Sequence, residues 1–375
     1  MIHGHGGNIY QAAARIGCQS EEIVDMSSNV NPLGPPPGLH RHLQDRLTDL
    51  HALPEPDAAG TGRAFARHSG IDEQWVMAGN GTTQFIYALP RALNARKALI
   101  AGPTYADYAD ACTACGVSFT IVNAKPEHGF AIEPDRLKTV LAEVDLAFFC
   151  NPNNPTGVLT PAESLARICR SHPQVRFVVD ESYLPFVTDA DNKSMIRQAL
   201  PNVLVLNSLS KVFRIPGLRI GFLVAPPQLI EAMRRLYQPW SVNSLAQAAV
   251  DFLMRPGPEI EDFLAETRRF TSTETARIAA LMANFPEVRM FPGAAVFSLL
   301  LLPETVPASR AAVQLLEERI LIRNCENFAG LSNRYIRISL KTPAENDRLV
   351  EALGAVLRAE KSTQSDDALP PRRRS

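Results

Sequence analysis

The sequence of 375 residues predicts an α/β fold, in which a large domain with a mostly parallel sheet between helices precedes a small α+β domain. Two observations carry this prediction. From about residue 75 to residue 225, short continuous apolar runs alternate with amphipathic helical stretches, as buried parallel strands and their crossover helices do. After Pro226 the chain becomes helical, and beyond residue 286 short strands and helices are mixed, which indicates a second, smaller unit.

The order of domains follows from these patterns. Residues 1–40 are rich in Gly, Asn and Pro, so we expect an irregular N-terminal arm. We expect residues 41–260 to form the large α/β domain, and a long helix predicted over 258–283 to lead into the small domain at 261–360. The polar residues 361–375 are expected to be a disordered tail rather than a binding arm.

The predicted strands of the large sheet share continuous hydrophobicity without alternation, which indicates burial on both faces. They are Trp75–Ala78, Ala98–Ala101, Val117–Val122, Leu146–Cys150, Val175–Asp180, Val203–Leu206 and Ile220–Val224. The small domain is predicted to contain strands Ala295–Leu302, Ile320–Arg323 and Tyr335–Leu340, with helices Ser309–Glu318 and Ala344–Leu357.

Composition excludes several classes of protein. Hydrophobic residues make up 46% and charged residues 21% of the chain, which excludes disordered and collagen-like structure. The 38 Lys and Arg balance 39 Asp and Glu, so no nucleic-acid or membrane partner is indicated. No apolar run approaches the ~20 residues of a membrane span, and no signal peptide is recognised. We expect a cytoplasmic protein with reduced cysteines, in which Cys112 and Cys115 pack rather than bind metal.

Polar residues follow the predicted strands at their carboxyl ends, where an open parallel sheet binds its ligands. These residues are Gly79–Thr83 after the first run, Asn151–Gly157 after the fourth, Asp180 and Tyr183 after the fifth, and Ser208, Ser210 and Lys211 after the sixth, with Arg219 eight residues further on.

Two of these groups suit an anion and an electrophile. The Gly-rich turn that opens a helix, together with Ser208 and Arg219, can hold a phosphate. Lys211 lies at a strand end in apolar surroundings, where desolvation and Arg219 lower the amine pKa and favour a nucleophile.

The other groups suit a heteroaromatic ring. A carboxylate buried at Asp180 needs a cationic partner such as a protonated pyridine nitrogen. Asn154 and Tyr183 can hydrogen-bond a phenolic oxygen. Taken singly, such residues are more often a loop, a helix cap or a surface lysine, but their order and spacing favour one site. Phosphate, aldehyde, pyridinium and phenolate together describe pyridoxal 5'-phosphate.

The motifs resemble those of the aspartate aminotransferase superfamily, fold type I of pyridoxal-phosphate-dependent transferases, and within it the histidinol-phosphate aminotransferase branch. This resemblance covers most of residues 25–355 and rests on Ser208–Lys211, Gly217–Gly221, Asn153–Gly157 and Asp180–Tyr183. A narrower resemblance is to threonine-phosphate decarboxylases of cobalamin biosynthesis. It rests on His5–Ile9, Ser28–Gly34, Ile215–Arg219, Pro239–Asn243 and Ile320–Cys325. Within the second of these segments, Val30 stands where the aminotransferase branch usually has Glu.

The narrower resemblance implies an enzyme, a carboxy-lyase that converts L-threonine O-3-phosphate to (R)-1-amino-2-propanol O-2-phosphate. A histidinol-phosphate or related aminotransferase is the alternative on the same scaffold, and a non-enzymatic sensor that binds the cofactor is a third hypothesis. The resemblance also implies a homodimer with sites between subunits.

Roles are implied residue by residue. The catalytic residues would be Lys211, Asp180 and Tyr183, and the cofactor would be held by Gly81, Thr82, Tyr105, Asn154, Asp180, Tyr183, Ser208, Lys211 and Arg219. The substrate would be held by His5, Gly6, Asn29, Asn154, Arg323 and Arg337, although both arginines could instead form surface ion pairs.

One position departs from the aminotransferase branch. An Arg-Tyr-Pro motif usually supplies a tyrosine to the cofactor phosphate of the neighbouring subunit, whereas this chain has Leu53, which cannot donate a hydrogen bond.

Overall fold

The computed structural model describes residues 6–367. Its helices are α1 Ile9–Ile16, α2 Leu39–Asp45, α3 Ala59–Ser69, α4 Gly81–Ala92, α5 Asp107–Ala114, α6 Pro134–Leu141, α7 Ala162–Ser171, α8 Ala190–Lys193, α9 Leu209–Val212, α10 Pro227–Arg234, α11 Ser244–Leu253, α12 Pro258–Met282, α13 Ala308–Glu317 and α14 Pro343–Asp367. Its strands are β1 Val24–Asp25, β2 Val76–Gly79, β3 Lys97–Gly102, β4 Ser118–Asn123, β5 Leu146–Cys150, β6 Arg176–Asp180, β7 Val203–Ser208, β8 Gly221–Val224, β9 Arg289–Phe291, β10 Phe297–Leu301, β11 Ile320–Leu321, β12 Arg323–Asn324 and β13 Tyr335–Ser339.

A seven-stranded sheet has the order β2-β8-β7-β6-β5-β3-β4. The neighbours from β4 to β7 are parallel, whereas β8 is antiparallel to both β7 and β2. All five residues of β5 are buried, which explains its uninterrupted apolar sequence. The predicted mostly parallel sheet is confirmed.

Helices cover both faces of this sheet. Alternate residues of β5 point to opposite faces, so that Phe148 packs with α4, α5 and α10, and Phe149 packs with α6, α7 and α11. The second of these apolar clusters continues into the C-terminal part of the chain through Val296 and Ile338. The two parts are therefore held together by one apolar core.

The C-terminal sheet is antiparallel with the order β12-β13-β10-β9. Helix α12 leads into it, and α13 packs against α14. This mixed arrangement of helices and strands is the α+β unit that the sequence predicts. The domain bounds remain predictions, since α12 spans the boundary placed at residues 260–261.

We expected an irregular N-terminal arm, and this prediction is wrong. The arm contains α1 and the strand β1, which pairs in parallel with β11. Apolar residues recur with helical spacing from Ile9 to Ile16, and Ala12 and Ala13 are buried. The Asn8 side chain accepts a hydrogen bond from the Gln11 amide at 3.2 Å and caps the helix. The Gly and Pro residues of the arm lie outside this helix.

The C-terminal end also differs from the sequence prediction. Helix α14 runs to Asp367, so a disordered tail is wrong for residues 361–367, while 368–375 lie outside the described residues. No Gly or Pro interrupts the chain between Gly354 and Pro370, so the helix meets no breaker at Leu357, where we expected its end. Within residues 6–367 no helix has the length and apolar character of a membrane span.

Candidate active site

The carboxyl ends of β2, β5, β6 and β7 lie at one edge of the large sheet. Strand β8 runs in the opposite direction, so the residues that precede it reach the same edge. Arg219 stands just before β8, and for this reason it joins residues that follow the other strands.

A cavity of about 210 Å³ opens at this edge. Every predicted site residue that the structure describes lines it: Gly6, Asn29, Gly81, Thr82, Tyr105, Asn154, Asp180, Tyr183, Ser208, Lys211, Arg219, Arg323 and Arg337. His5, the remaining predicted residue, lies outside the described residues.

One end of the cavity has the features of an anion cradle. Gly81 opens α4 with a φ of +68°, and a Cβ at this position would lie 2.7 Å from Nη2 of Arg219. The absence of a side chain lets the helix N-terminus and the guanidinium face the same space, which suits a phosphate. The Ser208 side chain is buried beside them.

Lys211 lies in α9, the short helix that follows β7. Burial lowers the pKa of its amine to about 8, and the positive charges of Arg219 and Arg337 act in the same direction. The carboxylate of Asp180 opposes this effect without overcoming it. The amine therefore loses its proton far more readily than a lysine in water, as a nucleophile requires.

Asp180 ends β6 and is 5% exposed. Its Oδ2 accepts a hydrogen bond from the Tyr108 hydroxyl at 2.8 Å, and its Oδ1 accepts one from the Ser182 amide at 3.0 Å. Burial raises the pKa of this carboxyl, although both hydrogen bonds and the charge of Lys211 lower it.

The environment of Asp180 fits pyridoxal phosphate, because both of these donors are neutral. A protonated ring nitrogen would provide the cationic partner that a buried carboxylate needs. With the phosphate cradle at Gly81 and the amine of Lys211, the cavity fits the predicted cofactor on three chemical groups.

Tyr183 forms a hydrogen-bonded chain with two other buried residues. The Asn29 side chain donates to the phenol oxygen at 3.2 Å, and Ser339 donates to Asn29 Oδ1 at 2.5 Å. Burial raises the pKa of Tyr183 to about 12, so the phenol is neutral and its proton is available for donation.

The other end of the cavity carries two arginines on adjacent strands, with Arg323 opposite Arg337 in register. Arg337 is 5% exposed and donates to Asn154 Oδ1 and to the Ser27 carbonyl, both at 2.5 Å. Its Nε has no hydrogen-bond partner among the described residues.

The guanidinium of Arg323 also lacks a carboxylate within the described part of the chain. It donates to the Asn324 carbonyl at 2.6 Å and to Asn327 Oδ1 at 2.7 Å, and burial lowers its pKa to about 10. Within residues 6–359 neither arginine forms the surface ion pair that was the alternative to substrate binding. This end is therefore suited to anions.

Sequence reasoning missed two residues with clear contacts in the site. Tyr108 donates to Asp180, and it is fully buried with its ring stacked on Phe148 at 5.2 Å. It follows β3 closely in the chain, so the preference for polar residues beyond strand ends is a signal that could have found it. Ser27 belongs to the N-terminal arm and lines the cavity, and no local signal distinguishes it.

Leu53, which replaces the expected tyrosine, is 76% exposed and does not contribute to the described lining of the cavity.

Comparison with known proteins gives consistent matches along the chain. The model of the family aminotransferase class I and II matches residues 21–353. A threonine-phosphate decarboxylase of Salmonella typhimurium is 34% identical over 358 residues, which covers 94% of this chain and 96% of the relative. A histidinol-phosphate aminotransferase of Desulfitobacterium hafniense is 31% identical over 346 residues, with 90% and 92% covered. The crystal structure of L-threonine-O-3-phosphate decarboxylase from Porphyromonas gingivalis has a TM-score of 0.80 at 29% identity, with 89% and 99% covered.

Proposed function

The chain belongs to the aminotransferase class I and II family, and from this membership we propose that it is a pyridoxal-phosphate-dependent decarboxylase of L-threonine O-3-phosphate. The product is (R)-1-amino-2-propanol O-2-phosphate, used in cobalamin biosynthesis. The relative with 34% identity over nearly the whole of both chains is named for this activity.

The observation that carries the proposal is the pair of arginines at one end of the cavity. Neither Arg323 nor Arg337 has a carboxylate partner in the described chain, and both line the same cavity as Lys211. A substrate with a carboxylate and a phosphate supplies two anions for two guanidiniums.

The cofactor would be held by residues at the opposite end and the centre of the cavity. Asp180 would pair with the ring nitrogen, Asn154 and Tyr183 would meet the ring hydroxyl, and Arg219 with the N-terminus of α4 would hold the phosphate. Pyridoxal phosphate supplies a conjugated ring that accepts the electron pair of a bond broken at the substrate Cα. Lys211 would hold the cofactor covalently before the substrate binds.

The chain's own residues then decide which bond at Cα breaks. Arg337 would hold the substrate carboxylate, and Arg323 with the backbone of Gly6 would hold its phosphate. Because both anions are fixed, rotation about the bond between nitrogen and Cα is fixed as well, and the bond to the carboxylate is the one presented for cleavage.

A proton must replace the carbon dioxide that leaves. Lys211 can supply it, since its amine has a pKa of about 8 and exchanges a proton readily near neutral pH. Delivery of a proton from Nζ to Cα replaces the carboxylate by hydrogen, and the amine then regains a proton from solvent, so that the reaction consumes one proton in total.

The alternative function is transfer of an amino group, as in histidinol-phosphate aminotransferases. The relative with 31% identity favours it, and Lys211 and Asp180 serve either reaction. The purified, cofactor-loaded protein is incubated with L-threonine O-3-phosphate without any 2-oxo acid. We expect release of carbon dioxide and formation of the amino alcohol phosphate. Transfer that requires an acceptor, with no carbon dioxide, would establish the aminotransferase instead.

We also propose that two copies of the chain form the active unit. Leu47, Leu50 and Leu53 are exposed at 52%, 55% and 76%, and Trp240 is half exposed nearby, where its amide donates to the Pro56 carbonyl at 2.7 Å. Large exposed apolar side chains that recur within one short segment are typical of an interface. A second copy is the occupant that matches this family, and the position of Leu53 places the group where the branch uses an intersubunit tyrosine.

The cysteines support a cytoplasmic location, which we propose as well. All six are free thiols, and Cys112, Cys150, Cys169 and Cys325 are buried. Free thiols are typical of proteins from a reducing compartment. Cell fractionation tests this location.

A further inference from the structure

Ser27 contacts the N-terminal segment through its side chain. Its Oγ accepts a hydrogen bond from the backbone amide of Gly7 at 2.7 Å. Gly6 packs so closely on the same residue that a Cβ at position 6 would lie 2.3 Å from the Ser27 carbonyl oxygen. Gly6 lines the cavity, so these two contacts hold the N-terminal segment at its edge.

Asp25 determines how the Ser27 hydroxyl is oriented. Its Oδ1 accepts the Ser27 hydroxyl at 2.6 Å and the amides of Ser27 and Ser28 at 2.9 and 3.2 Å, and its Oδ2 accepts the Ser28 hydroxyl. A hydroxyl has one proton. Because the Ser27 hydroxyl donates its hydrogen bond to Asp25, its oxygen remains available to accept the hydrogen bond from the Gly7 amide.

The backbone of Ser27 contacts the other anion-binding group. The Ser27 carbonyl accepts a hydrogen bond from Nη2 of Arg337 at 2.5 Å, and Ser27 itself is 2% exposed. One buried residue therefore joins the segment that contains Gly6 to the guanidinium proposed for the substrate carboxylate.

We propose that Ser27, oriented by Asp25, is a positioning residue that holds residues 6 and 7 over the substrate end of the cavity and links them to Arg337. Substrates that carry two anions engage both parts of this unit. The kinetic consequence rests on the proposed function, whereas the consequence for the Gly7 amide does not.

The test compares Ser27→Ala with Ser28→Ala in the full-length, cofactor-loaded protein. Both hydroxyls donate to Asp25, but of the two only the Ser27 hydroxyl accepts a hydrogen bond from the Gly7 amide, so Ser28→Ala is the matched control. Hydrogen–deuterium exchange of the Gly7 amide is measured without substrate, and kcat and KM are measured with L-threonine O-3-phosphate.

We expect Ser27→Ala to exchange the Gly7 amide at least tenfold faster and to raise KM about tenfold with kcat within twofold of wild type. In Ser28→Ala, exchange at Gly7 stays within twofold of wild type and the rise in KM is smaller. Asp25→Ala gives an independent check, since it leaves Ser27 in place but removes the acceptor of its hydroxyl, and the Gly7 amide is expected to exchange faster.

Unchanged exchange at Gly7 in Ser27→Ala, or equal effects of Ser27→Ala and Ser28→Ala, overturns the proposal. A selective change in exchange while wild type releases no carbon dioxide supports the contact and rejects the proposed function. Decarboxylation by wild type with a KM that Ser27→Ala does not alter supports the function and rejects the role of Ser27.

Discussion

Burial acts in opposite directions on the two titratable groups at the centre of the cavity. It lowers the pKa of Lys211 to about 8 and raises that of Asp180, because a low dielectric disfavours the charged form of each. A bound pyridinium would restore a charged partner to Asp180. The residue-scale chemistry therefore depends on where the fold places these groups and on which ligand joins them.

The role of Lys211 is tested by Lys211→Ala. We expect the variant to fold, since its neighbours Leu209, Ser210 and Val212 carry the buried contacts of α9. It should bind pyridoxal phosphate without the absorbance of the covalent adduct and should lack turnover. Absorption spectra and borohydride reduction measure the covalent bond, and a yellow, active variant would refute the assignment.

The low pKa of Lys211 predicts the pH dependence of covalent cofactor capture. Only the neutral amine attacks, so the capture rate of the unloaded protein should rise about tenfold per pH unit below about pH 8 and level off above it. Stopped-flow absorbance between pH 6 and pH 10 measures this rate.

A matched variant separates charge from phosphate binding. Arg219→Met removes a nearby positive charge, so the inflection should move to higher pH. Pyridoxal, which has no phosphate, is the probe for wild type and variant alike. A wild-type inflection at the pH of an ordinary lysine would contradict the environment described for Lys211.

Glu181 predicts a pH dependence of stability. It is fully buried beside Asp180 and accepts hydrogen bonds from Ser194 Oγ at 2.5 Å and the Met195 amide at 2.7 Å. Burial raises its pKa to about 8, so between about pH 5 and pH 8 the folded state binds a proton that the unfolded state releases. The free energy of unfolding therefore falls as pH rises through this window, by at most about 1.4 kcal/mol per pH unit.

Glu181→Gln removes this proton while an amide can still accept from Met195 and donate to Ser194. The difference in Tm between variant and wild type should shift in favour of the variant as pH rises from 5 to 8. Thermal unfolding at half-unit pH steps measures it. Curves that stay parallel would show that Glu181 is charged in the folded protein at neutral pH.

At the scale of elements, the phosphate cradle depends on how α4 and β8 meet the sheet edge. Helix α4 starts at the end of β2, and β8 runs antiparallel, which brings Arg219 to the same place. Two features require glycine at position 81: the positive φ of its backbone, and the proximity of the Arg219 guanidinium, which leaves no room for a side chain.

Gly81→Ala separates these two requirements when it is compared with Gly116→Ala. Gly116 has a φ of +67°, and a methyl carbon there would have no neighbouring atom within 4 Å, so the two variants share the backbone penalty of about 1–2 kcal/mol. Only Gly81→Ala should displace Arg219, and we expect its dissociation constant for pyridoxal phosphate to rise at least tenfold. Equal cofactor affinity of the two variants, measured by fluorescence titration, would contradict the cradle.

At the scale of the whole molecule, the exposed leucines of residues 47–53 test the proposed pairing of two chains. Leu50→Glu combined with Leu53→Glu should give a monomer in sedimentation and should weaken cofactor binding. Tyr10→Glu, at a residue 75% exposed on the N-terminal helix, is the control and should keep the assembly state of wild type. A wild-type monomer with full activity would exclude the pairing.

The sequence predicts elements well where the local pattern is strong. The strands from Leu146 to Cys150 and from Val203 onward are found where expected, because a strand buried on both faces admits only apolar residues. The predictions for the arm and for residues 361–367 are wrong, since overall Gly and Pro content hides the helical spacing of Ile9–Ile16, and the polar residues 361–367 continue a helix that no breaker stops. Composition is a weaker guide than position.

The site shows the same division. Lys211, Asp180 and Arg219 could be found from order along the chain, because consecutive strands deliver their ends to one edge. Tyr108 contacts Asp180, which is 72 positions away in the chain, and Ser27 contacts Arg337, which is 310 positions away. No local spacing therefore identifies the partners of these two residues.

By itself the sequence determined the alternation of strands and helices, the lysine, acid and arginine set, and the family to which these motifs belong, because each is written in residue type and spacing. Only the tertiary structure decided that β8 is antiparallel to its neighbours, that Arg323 and Arg337 meet without carboxylates in the described chain, and that Ser27 holds residues 6 and 7 at the cavity. The physical reason is that burial and hydrogen bonding depend on distances between residues remote in the chain, which a local pattern does not contain.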